Sequence, residues 1–520
     1  MTSIFSRNVK AWAYDEELTA RYLNERDRIL KKQKIVGKNL EKELQNAEST
    51  YYRTLANIGE GRHETLSNTK ALVIGSDYLA QLIAGGLAGL GIDRIMLVDD
   101  GRVESSRPEI FCGPSRTNRG RKKVQLIAEE ISQINPNAEI RHEFGCVNWG
   151  RTYRFRPDVI IDATNDPISK QYAYSYCKGF SFDRPTFISA SANSIGGTYE
   201  VSSGGSFSNH LGKLHYYNSP QQGAFTSGLI AGLALEEVRR SRFKYSEIDR
   251  VVNGNFHYVT EDRWITHYPS KRVLIVGGGA LGNAVAITLA LKGYGSIGII
   301  DMDCIEDHNL TRQFLLRGRL GERKVDAIKE RIRQINPRVE VNAIYGKVGS
   351  VGENDFEWLS QMKGSNDLDT LIASKFSLTS RQRAGGAILL DRESVRGYDL
   401  IFGCLDNKYA RAWLNQAAID GKILYVDGGT DGMGGQLAAY APGHTKCIQC
   451  QLNLSKFPDQ TSCAIDPSTV IPNLIIGNLM VDMAERTMMG HYDITGIQYQ
   501  PFTQRKLFPF SRTGGNKHAC

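Results

Sequence analysis

No stretch of this 520-residue sequence approaches the roughly 18 consecutive apolar residues that a membrane-spanning helix needs, so no membrane association is expected. The first residues, MTSIFSRNVKAWAYDEEL, lack the apolar core of a secretory signal and contain acidic residues early. Nine cysteines are scattered along the chain, which excludes the dense framework of a small disulfide-rich domain. These absences predict a cytoplasmic protein.

A surplus of one sign of charge is also missing. The net charge of +8 is small for this length, and basic residues alternate with acidic ones in runs such as RDRILKKQKIVGKNLEKELQ. That pattern is typical of a solvated helical face, so nucleic acid is not an expected partner. The composition, 41% hydrophobic and 23% charged, is that of an ordinary globular protein, and the length exceeds one hydrophobic core. Two or more domains are therefore expected.

Two segments of the chain share one pattern. ALVIGSDYLAQLIAGGLAGLGIDRIMLVDD and VLIVGGGALGNAVAITLALKGYGSIGIIDMD each contain an apolar strand, a turn, a helix with small residues and a second strand ending in Asp. This order is typical of the start of a nucleotide-binding βαβ unit. Gly75 matches Gly277, and Asp99 matches Asp301, both 202 residues apart. A period this long, present twice, indicates duplicated domains and not a solenoid.

The matching continues to the end of both segments. Lys123 matches Lys324, and Asn165 matches Asp406 at a separation of 241, so the second copy has about 40 additional residues near 340–398. The fold class is therefore α/β, with two tandem Rossmann-like domains that would form an intramolecular pseudo-dimer and leave a homodimer open. The predicted parts are a helical N-terminal segment over 1–69, a first domain over 70–268 and a second domain over 269–520.

The glycine-rich turn differs between the copies. The second copy has Gly277, Gly279 and Gly282 in GGGALG, whereas the first has Asp77 in place of Gly279 and Ala80 in place of Gly282. Glycines let a phosphate reach the backbone amides and the helix N-terminus. An aspartate in the turn repels the phosphate. The second copy is thus expected to bind a nucleotide and the first to be degenerate.

Polar residues after the second strand distinguish the possible nucleotide reactions. A dehydrogenase needs no cations directed at a phosphate chain, but a reaction at a triphosphate does, because its developing charge must be neutralised. Asp406 ends the apolar strand LIFGC and can hold Mg²⁺, whereas its counterpart Asn165 is neutral. The residues predicted to contact the nucleotide, besides the turn glycines, are Asp301, Asp303, Asn309, Arg312, Gln313, Lys324 and Asp406.

The motifs of the second copy, in their order along the chain, closely resemble the ThiF-like superfamily, which includes MoeB and the ubiquitin-activating enzymes. They are GGGALG, DMDCIEDHNLTRQ, Lys324, LDN (405–407), GGQ (434–436), CIQC (447–450) and TSCAI (461–465). The resemblance implies ATP and Mg²⁺ binding, with Arg312, Lys324 and Asp406 acting in catalysis. It further implies ThiF-type adenylation of the C-terminal glycine of a ubiquitin-like protein, transfer to a conjugating enzyme, and an inactive first copy. The compact form resembles a prokaryotic conjugation system.

Four of the cysteines and an arginine can also be assigned with the help of this resemblance. Cys463 matches the thioester cysteine, which would attack the acyl-adenylate and release AMP, although a buried structural cysteine is the alternative. Cys447 and Cys450 would be half of a zinc site, completed by His518 and Cys520 or else vestigial. The family's arginine from the partner domain has its candidates in Arg21, Arg26 and Arg28. The cysteines predicted to lie in the core are Cys112, Cys146, Cys177, Cys304 and Cys404.

Two other functions remain open at this point. The first is adenylation without a thioester, as in the activation of a sulfur carrier or a small carboxylate. The second is a nucleotide-binding scaffold whose chemistry has lapsed in both halves. A dehydrogenase is disfavoured, because Arg312, Lys324 and Asp406 would then have no role.

Overall fold

The computed structural model describes residues 60–104, 107–179, 185–194, 196–202, 222–243, 255–259, 270–349, 375–432, 434–454, 468–501 and 507–512. Within these ranges, no helix is both long enough and apolar enough to cross a membrane.

The first half is built around a seven-stranded sheet with the order β3-β2-β1-β4-β5-β6-β7. The first five strands in that order are parallel and the last two are antiparallel. Short apolar runs such as KALVI are almost fully buried, as expected for parallel strands covered on both faces. The elements are α1 (Glu60–Ser67), β1 (Lys70–Ile74), α2 (Tyr78–Gly89), β2 (Arg94–Asp99), α3 (Lys123–Ile131), β3 (Glu139–Phe144), α4 (Trp149–Phe155), β4 (Val159–Asp162), α5 (Pro167–Gly179), β5 (Thr186–Ala192), β6 (Gly196–Ser202), α6 (Ala224–Arg242) and β7 (Asn255–Val259).

The second half has a nine-stranded sheet with the order β11-β10-β9-β8-β12-β13-β14-β15-β16, again parallel up to β13 and antiparallel beyond it. The elements are β8 (Arg272–Val276), α7 (Ala280–Lys292), β9 (Ser296–Asp301), the 3₁₀ turns Asp307–Asn309 and Phe314–Leu316, α8 (Lys324–Ile335), β10 (Glu340–Val348), α9 (Ser380–Ala384), β11 (Ile388–Leu390), α10 (Arg392–Val395), β12 (Leu400–Gly403), α11 (Lys408–Gly421), β13 (Leu424–Thr430), β14 (Gly435–Tyr440), α12 (Ile448–Leu452), α13 (Val470–Met488), β15 (Gly496–Tyr499) and β16 (Leu507–Phe510).

The two halves share one topology. Strands β8, β9, β10 and β12–β15 repeat the order of β1, β2, β3 and β4–β7, which confirms the tandem Rossmann-like fold predicted from the repeat. The second half adds β11, α9 and α10 between β10 and β12, inside the predicted insertion near 340–398. In the first sheet the chain order reverses between the neighbouring strands β1 and β4. In the second sheet it reverses between β8 and β12. This reversal is the switch point where such folds bind ligands.

The halves pack against each other through α6 and α13. Glycines make the close approach possible: a Cβ on Gly228 would lie 2.0 Å from Asn478, and one on Gly232 would lie 2.6 Å from Ile475. Farther along the same contact, the rings of Phe111 and Phe314 meet edge to face at 6.1 Å. One hydrophobic core continues through both halves, so each half stabilises the other.

Candidate active site

A cavity of about 780 Å³ opens at the carboxyl ends of β8, β9 and β12, beside the switch point of the second sheet. This edge is where open α/β sheets bind ligands. The fold brings nearly all the residues predicted to contact the nucleotide to its wall. Those that line it are Gly277, Gly279, Asp301, Asp303, Asn309, Arg312, Gln313, Lys324 and Asp406. Gly282 is not among the lining residues.

The three turn glycines have three different physical roles. Gly277 has φ +101°, and a Cβ there would lie 2.3 Å from the carbonyl oxygen of Cys404, so only glycine fits. A Cβ on Gly282 would lie 2.0 Å from the carbonyl oxygen of Gly277, which makes Gly282 a packing residue between α7 and the turn. A Cβ on Gly279 would meet nothing within 4 Å. The open space beside Gly279, at the N-terminus of α7, therefore fits a phosphate group.

The carboxylate of Asp301 is oriented by the backbone. It accepts hydrogen bonds from the N–H of Gly278 at 2.7 Å and from the N–H of Asp303 at 2.8 Å. Burial raises the pKa of the Asp301 carboxyl, and nearby Lys324 opposes that rise. Lys324 itself is buried and pairs with Asp303 at 2.8 Å, a carboxylate that is 59% exposed. An incoming anion can therefore compete with Asp303 for the Lys324 ammonium.

Buried polar side chains lie in the first 3₁₀ turn of the second half and directly after it. The Arg312 guanidinium donates to the carbonyl of His308 at 2.7 Å, and Asn309 Oδ1 accepts from the N–H of Glu306 at 3.0 Å. Gln313 is 3% exposed, and its Oε1 has no hydrogen-bond partner within the part of the chain that the structure describes. A buried polar atom without a partner is costly, so its place on the cavity wall fits a site that a polar ligand completes.

Asp406 is exposed at the end of β12 and lies on the cavity wall. Sequence reasoning missed its neighbour Arg411, a buried cation on α11. Arg411 donates to the carbonyl of Leu405 and pairs with Asp427 at 2.6 Å, so it braces the loop that carries Asp406. The only signal for Arg411 in the sequence is a basic residue, Lys170, at the matching position of the first copy.

The first copy fills the corresponding place with protein charges. Asp77, which replaces Gly279, accepts from Lys123 at 2.8 Å and lies 3.4 Å from Arg107. Lys123 also pairs with the fully buried Glu109 at 2.8 Å. Burial opposes the charge on Lys123, but Glu109 and Asp77 outweigh it and raise the pKa of the Lys123 ammonium. Lys123, the counterpart of the cavity residue Lys324, is thus neutralised by carboxylates of the first copy.

Several assigned residues lie outside the described part of the chain: Cys463, His518, Cys520, Arg21, Arg26 and Arg28. Cys447 is buried, and Cys450 is disulfide-bonded, so Cys450 offers no thiolate to a metal in this structure. Among the described residues, no group of three or more His, Cys, Asp or Glu side chains is arranged to hold a metal ion. The zinc site stays a prediction from the sequence.

The assignment of five cysteines to the core was partly wrong. Cys112 and Cys177 are buried, but Cys146 and Cys304 are exposed, and each of these two lies beyond the end of a strand, β3 or β9. Cys304 and Cys404 both line the cavity. Burial raises the pKa of the Cys404 thiol, which therefore stays protonated and is a poor nucleophile.

Replacing Gly279 with aspartate copies Asp77 of the first half and is expected to weaken ATP binding at least tenfold, since the new carboxylate faces the phosphates. Stability should change little, because nothing lies within 4 Å of the added Cβ. Isothermal calorimetry on Gly279→Asp and on Gly279→Asn, which has the same shape without the charge, measures the effect. Equal weakening by both variants would show that bulk, and not charge, is what the site rejects.

Comparison with known proteins agrees with this geometry. The model of the ThiF family matches residues 51–232 and again residues 267–518. The SUMO-activating enzyme subunit 2 of Dictyostelium discoideum is 29% identical over 181 residues, 35% of this chain and 22% of that protein. The Nedd8-activating enzyme E1 catalytic subunit of Drosophila melanogaster is 29% identical over 205 residues, 39% of each chain. The corresponding subunit of Schizosaccharomyces pombe is 28% identical over 191 residues, 36% of this chain and 34% of that protein.

The matched segment thus spans between about a fifth and two fifths of the length of these curated relatives. The family match, in contrast, covers most of the chain and falls separately on each half. It agrees with two sheets of one topology, of which the second keeps the glycine turn and the cavity. The chain belongs to the ThiF family, as the resemblance of its motifs predicted.

Proposed function

We propose that the second half uses ATP to adenylate the C-terminal glycine of a ubiquitin-like protein. One observation carries this proposal. A single cavity unites an open glycine turn, the cations Arg312 and Lys324, and the carboxylate of Asp406, while the first half closes the matching place with ion pairs. The names of the relatives support the substrate class, since they are activating enzymes for SUMO and NEDD8.

The residues present fit ATP and Mg²⁺. The space beside Gly279 accepts a phosphate, and the buried Oε1 of Gln313 lacks a partner among the described residues. When bound, Mg²⁺ would neutralise charge on the phosphate oxygens, and Asp406 is the residue that would hold it. Asp301 would accept a hydrogen bond from a ribose hydroxyl group. Arg312 and Lys324 would stabilise the negative charge that develops as the modifier carboxylate attacks and pyrophosphate leaves.

A second group of lining residues in the cavity suits the tail of a protein substrate. It is formed by β13, β14, β15 and the start of α13, and most of its side chains are polar without charge. Such a surface offers hydrogen bonds to an extended peptide and does not compete electrostatically with its terminal carboxylate. The uncharged lining residues of this group include Thr430, Gln436, Asn473 and Gln498, and Asp431 is a charged exception.

We extend the proposal to two further steps. The modifier forms a thioester with Cys463 and is then transferred to a conjugating enzyme. The support for these steps is the position of Cys463 in the family's motif order, five residues before Ser468, which lines the cavity. The proposed setting is the cytoplasm of a prokaryote with a compact conjugation system, on the sequence features alone.

The adenylation step is tested by exchange of labelled pyrophosphate into ATP in the presence of candidate ubiquitin-like proteins from the same genome. Exchange that requires the modifier supports the proposal. Exchange supported by small carboxylates instead would favour the activation of a small molecule. Absence of both exchange and AMP formation would favour the lapsed scaffold.

The thioester step is tested with a Cys463→Ala variant on a non-reducing gel with ATP and Mg²⁺. Wild-type protein should form a thiol-sensitive adduct with the modifier that the variant lacks, because the thiolate is the acceptor. Cys304→Ala is the matched control, since Cys304 is an exposed thiol on the cavity wall. An adduct that still forms in Cys463→Ala would mean that another residue is the acceptor. Modifier-dependent exchange without any adduct would mean that the reaction ends at the adenylate.

A further inference from the structure

Each half has a buried cation on the helix that follows the strand at the switch point. In the second half this is Arg411 on α11, and in the first it is Lys170 on α5, 241 residues earlier in the repeat register. Arg411 is 6% exposed and Lys170 is 1% exposed. A buried charge requires a partner, so each must be matched by a carboxylate.

The matching carboxylate comes from different strands in the two halves. Lys170 pairs with Asp162 on β4 at 3.3 Å, whereas Arg411 pairs with Asp427 on β13 at 2.6 Å. In the sheet register Asp162 lies beside Ser189, and Gly403 lies beside Asp427. Each half therefore has one acid at these two adjacent strand positions. In the first half the acid is on the first strand of the pair, β4, and in the second half it is on the second strand, β13. Charge balance is met in both halves and does not explain the difference.

What differs is the backbone that the cation holds. Nε and Nη2 of Arg411 donate to the carbonyl of Leu405 at 3.2 and 2.5 Å, and Nη2 also donates to the carbonyl of Gly428 at 3.0 Å. Leu405 directly precedes Asp406. The guanidinium thus joins the loop after β12 to the end of β13 in one rigid fork, which suits the fixed geometry of arginine.

In the described part of the first half, Lys170 joins the two corresponding strands but holds the end of β4 and not the loop that follows it. Lys170 donates to the carbonyls of Asp162 and Ala190 at 2.9 and 2.6 Å, and neither residue directly precedes Asn165, the counterpart of Asp406. Loss of the metal-binding carboxylate and loss of the brace behind it therefore occur together in the degenerate half.

We propose that Arg411 is a positioning residue that holds the Leu405 carbonyl and so presents the Asp406 carboxylate to Mg²⁺ and the phosphates. The inference rests on the proposed function, because it concerns the same nucleotide site. Asp427 neutralises Arg411 and, with Tyr425 donating to its Oδ1 at 2.8 Å, keeps the guanidinium in place. Side chains that orient a metal ligand commonly change metal affinity when they are altered.

The test measures how ATP raises the melting temperature of the full chain as Mg²⁺ is titrated. Arg411→Lys keeps the charge for Asp427 but lacks the planar fork that reaches Leu405 and Gly428 together. We expect it to raise the half-saturating Mg²⁺ concentration about tenfold. Binding of ATP in EDTA should match wild type, because the glycine turn is untouched. Lys170→Met is the matched control and should lower the melting temperature while leaving the Mg²⁺ requirement unchanged.

An Arg411→Lys protein with the wild-type Mg²⁺ requirement would overturn the inference. So would equal weakening of ATP binding in EDTA and in Mg²⁺, because that indicates general damage to the cavity. If Arg411→Lys does not fold, Asp427→Asn provides the same comparison and should also raise the Mg²⁺ requirement. Wild-type protein that ATP stabilises without any Mg²⁺ dependence would overturn the proposed function together with this inference, whatever the variants show.

Discussion

Lys324→Met is expected to reduce modifier-dependent pyrophosphate exchange by about a hundredfold or more, because it removes a fixed cation from the site of charge development. Folding stability should fall by only about 1 to 2 kcal/mol, because Asp303, which pairs with Lys324, is 59% exposed and remains hydrated. Asp301 also loses a nearby positive charge, but it keeps hydrogen bonds from the N–H groups of Gly278 and Asp303. Exchange rates and thermal melts of the same preparation measure both effects.

The matched variant Lys123→Met should behave in the opposite way. Its partner Glu109 is fully buried, and losing the ammonium leaves that carboxylate without its counter-charge, at a cost of about 3 to 5 kcal/mol. Exchange per folded molecule should equal wild type at a temperature where the variant is folded. Comparable losses of exchange in both variants would contradict the division into an active and a degenerate half.

Asp406→Asn is the second change with a large expected effect. It copies Asn165 of the first half and replaces a charged oxygen ligand with a neutral amide, which Mg²⁺ binds poorly. Exchange at low millimolar Mg²⁺ should fall about a hundredfold, with no loss of melting temperature, because the Asp406 side chain is exposed. Steady-state exchange over a Mg²⁺ series is the measurement.

The reverse change provides the control for Asp406→Asn. Asn165 donates to the carbonyl of Ala192 at 2.8 Å and accepts from the N–H of Ala192 at 3.2 Å, so Asn165→Asp loses one of these bonds. It should cost about 1 kcal/mol of stability and create no second exchange activity, since Asp77 still occupies the turn. Unchanged exchange in Asp406→Asn would mean that Mg²⁺ is held by other residues.

The two halves pack against each other as one unit. Glycines on α6 let that helix approach α13 closely, and a continuous core joins the halves. The first half therefore supports the second through packing, even though Asp77 and Glu109 form ion pairs with Lys123 at the place that matches the cavity.

The duplication and the βαβ units were determined by the sequence alone. Apolar strands, helix periodicity and turn glycines are local signals, and the fixed separation of 202 residues between Gly75 and Gly277 marks the repeat. The structure agrees with each of these, including positive φ at both glycines. The residues that motif order assigns to the nucleotide line the cavity, apart from Gly282, which packs α7 against the turn.

Only the tertiary structure decided how charges are matched. Glu109 and Asp77 neutralise Lys123, Arg411 braces Leu405, and Cys304 is exposed on the cavity wall and not buried in the core. None of these follows from periodicity or spacing, because the partners lie on different elements and meet only when the sheet and its helices are assembled. A local pattern specifies which face of an element is buried. Which buried groups touch depends on long-range packing. That packing leaves open space beside Gly279 in the second half and fills the matching place with ion pairs in the first.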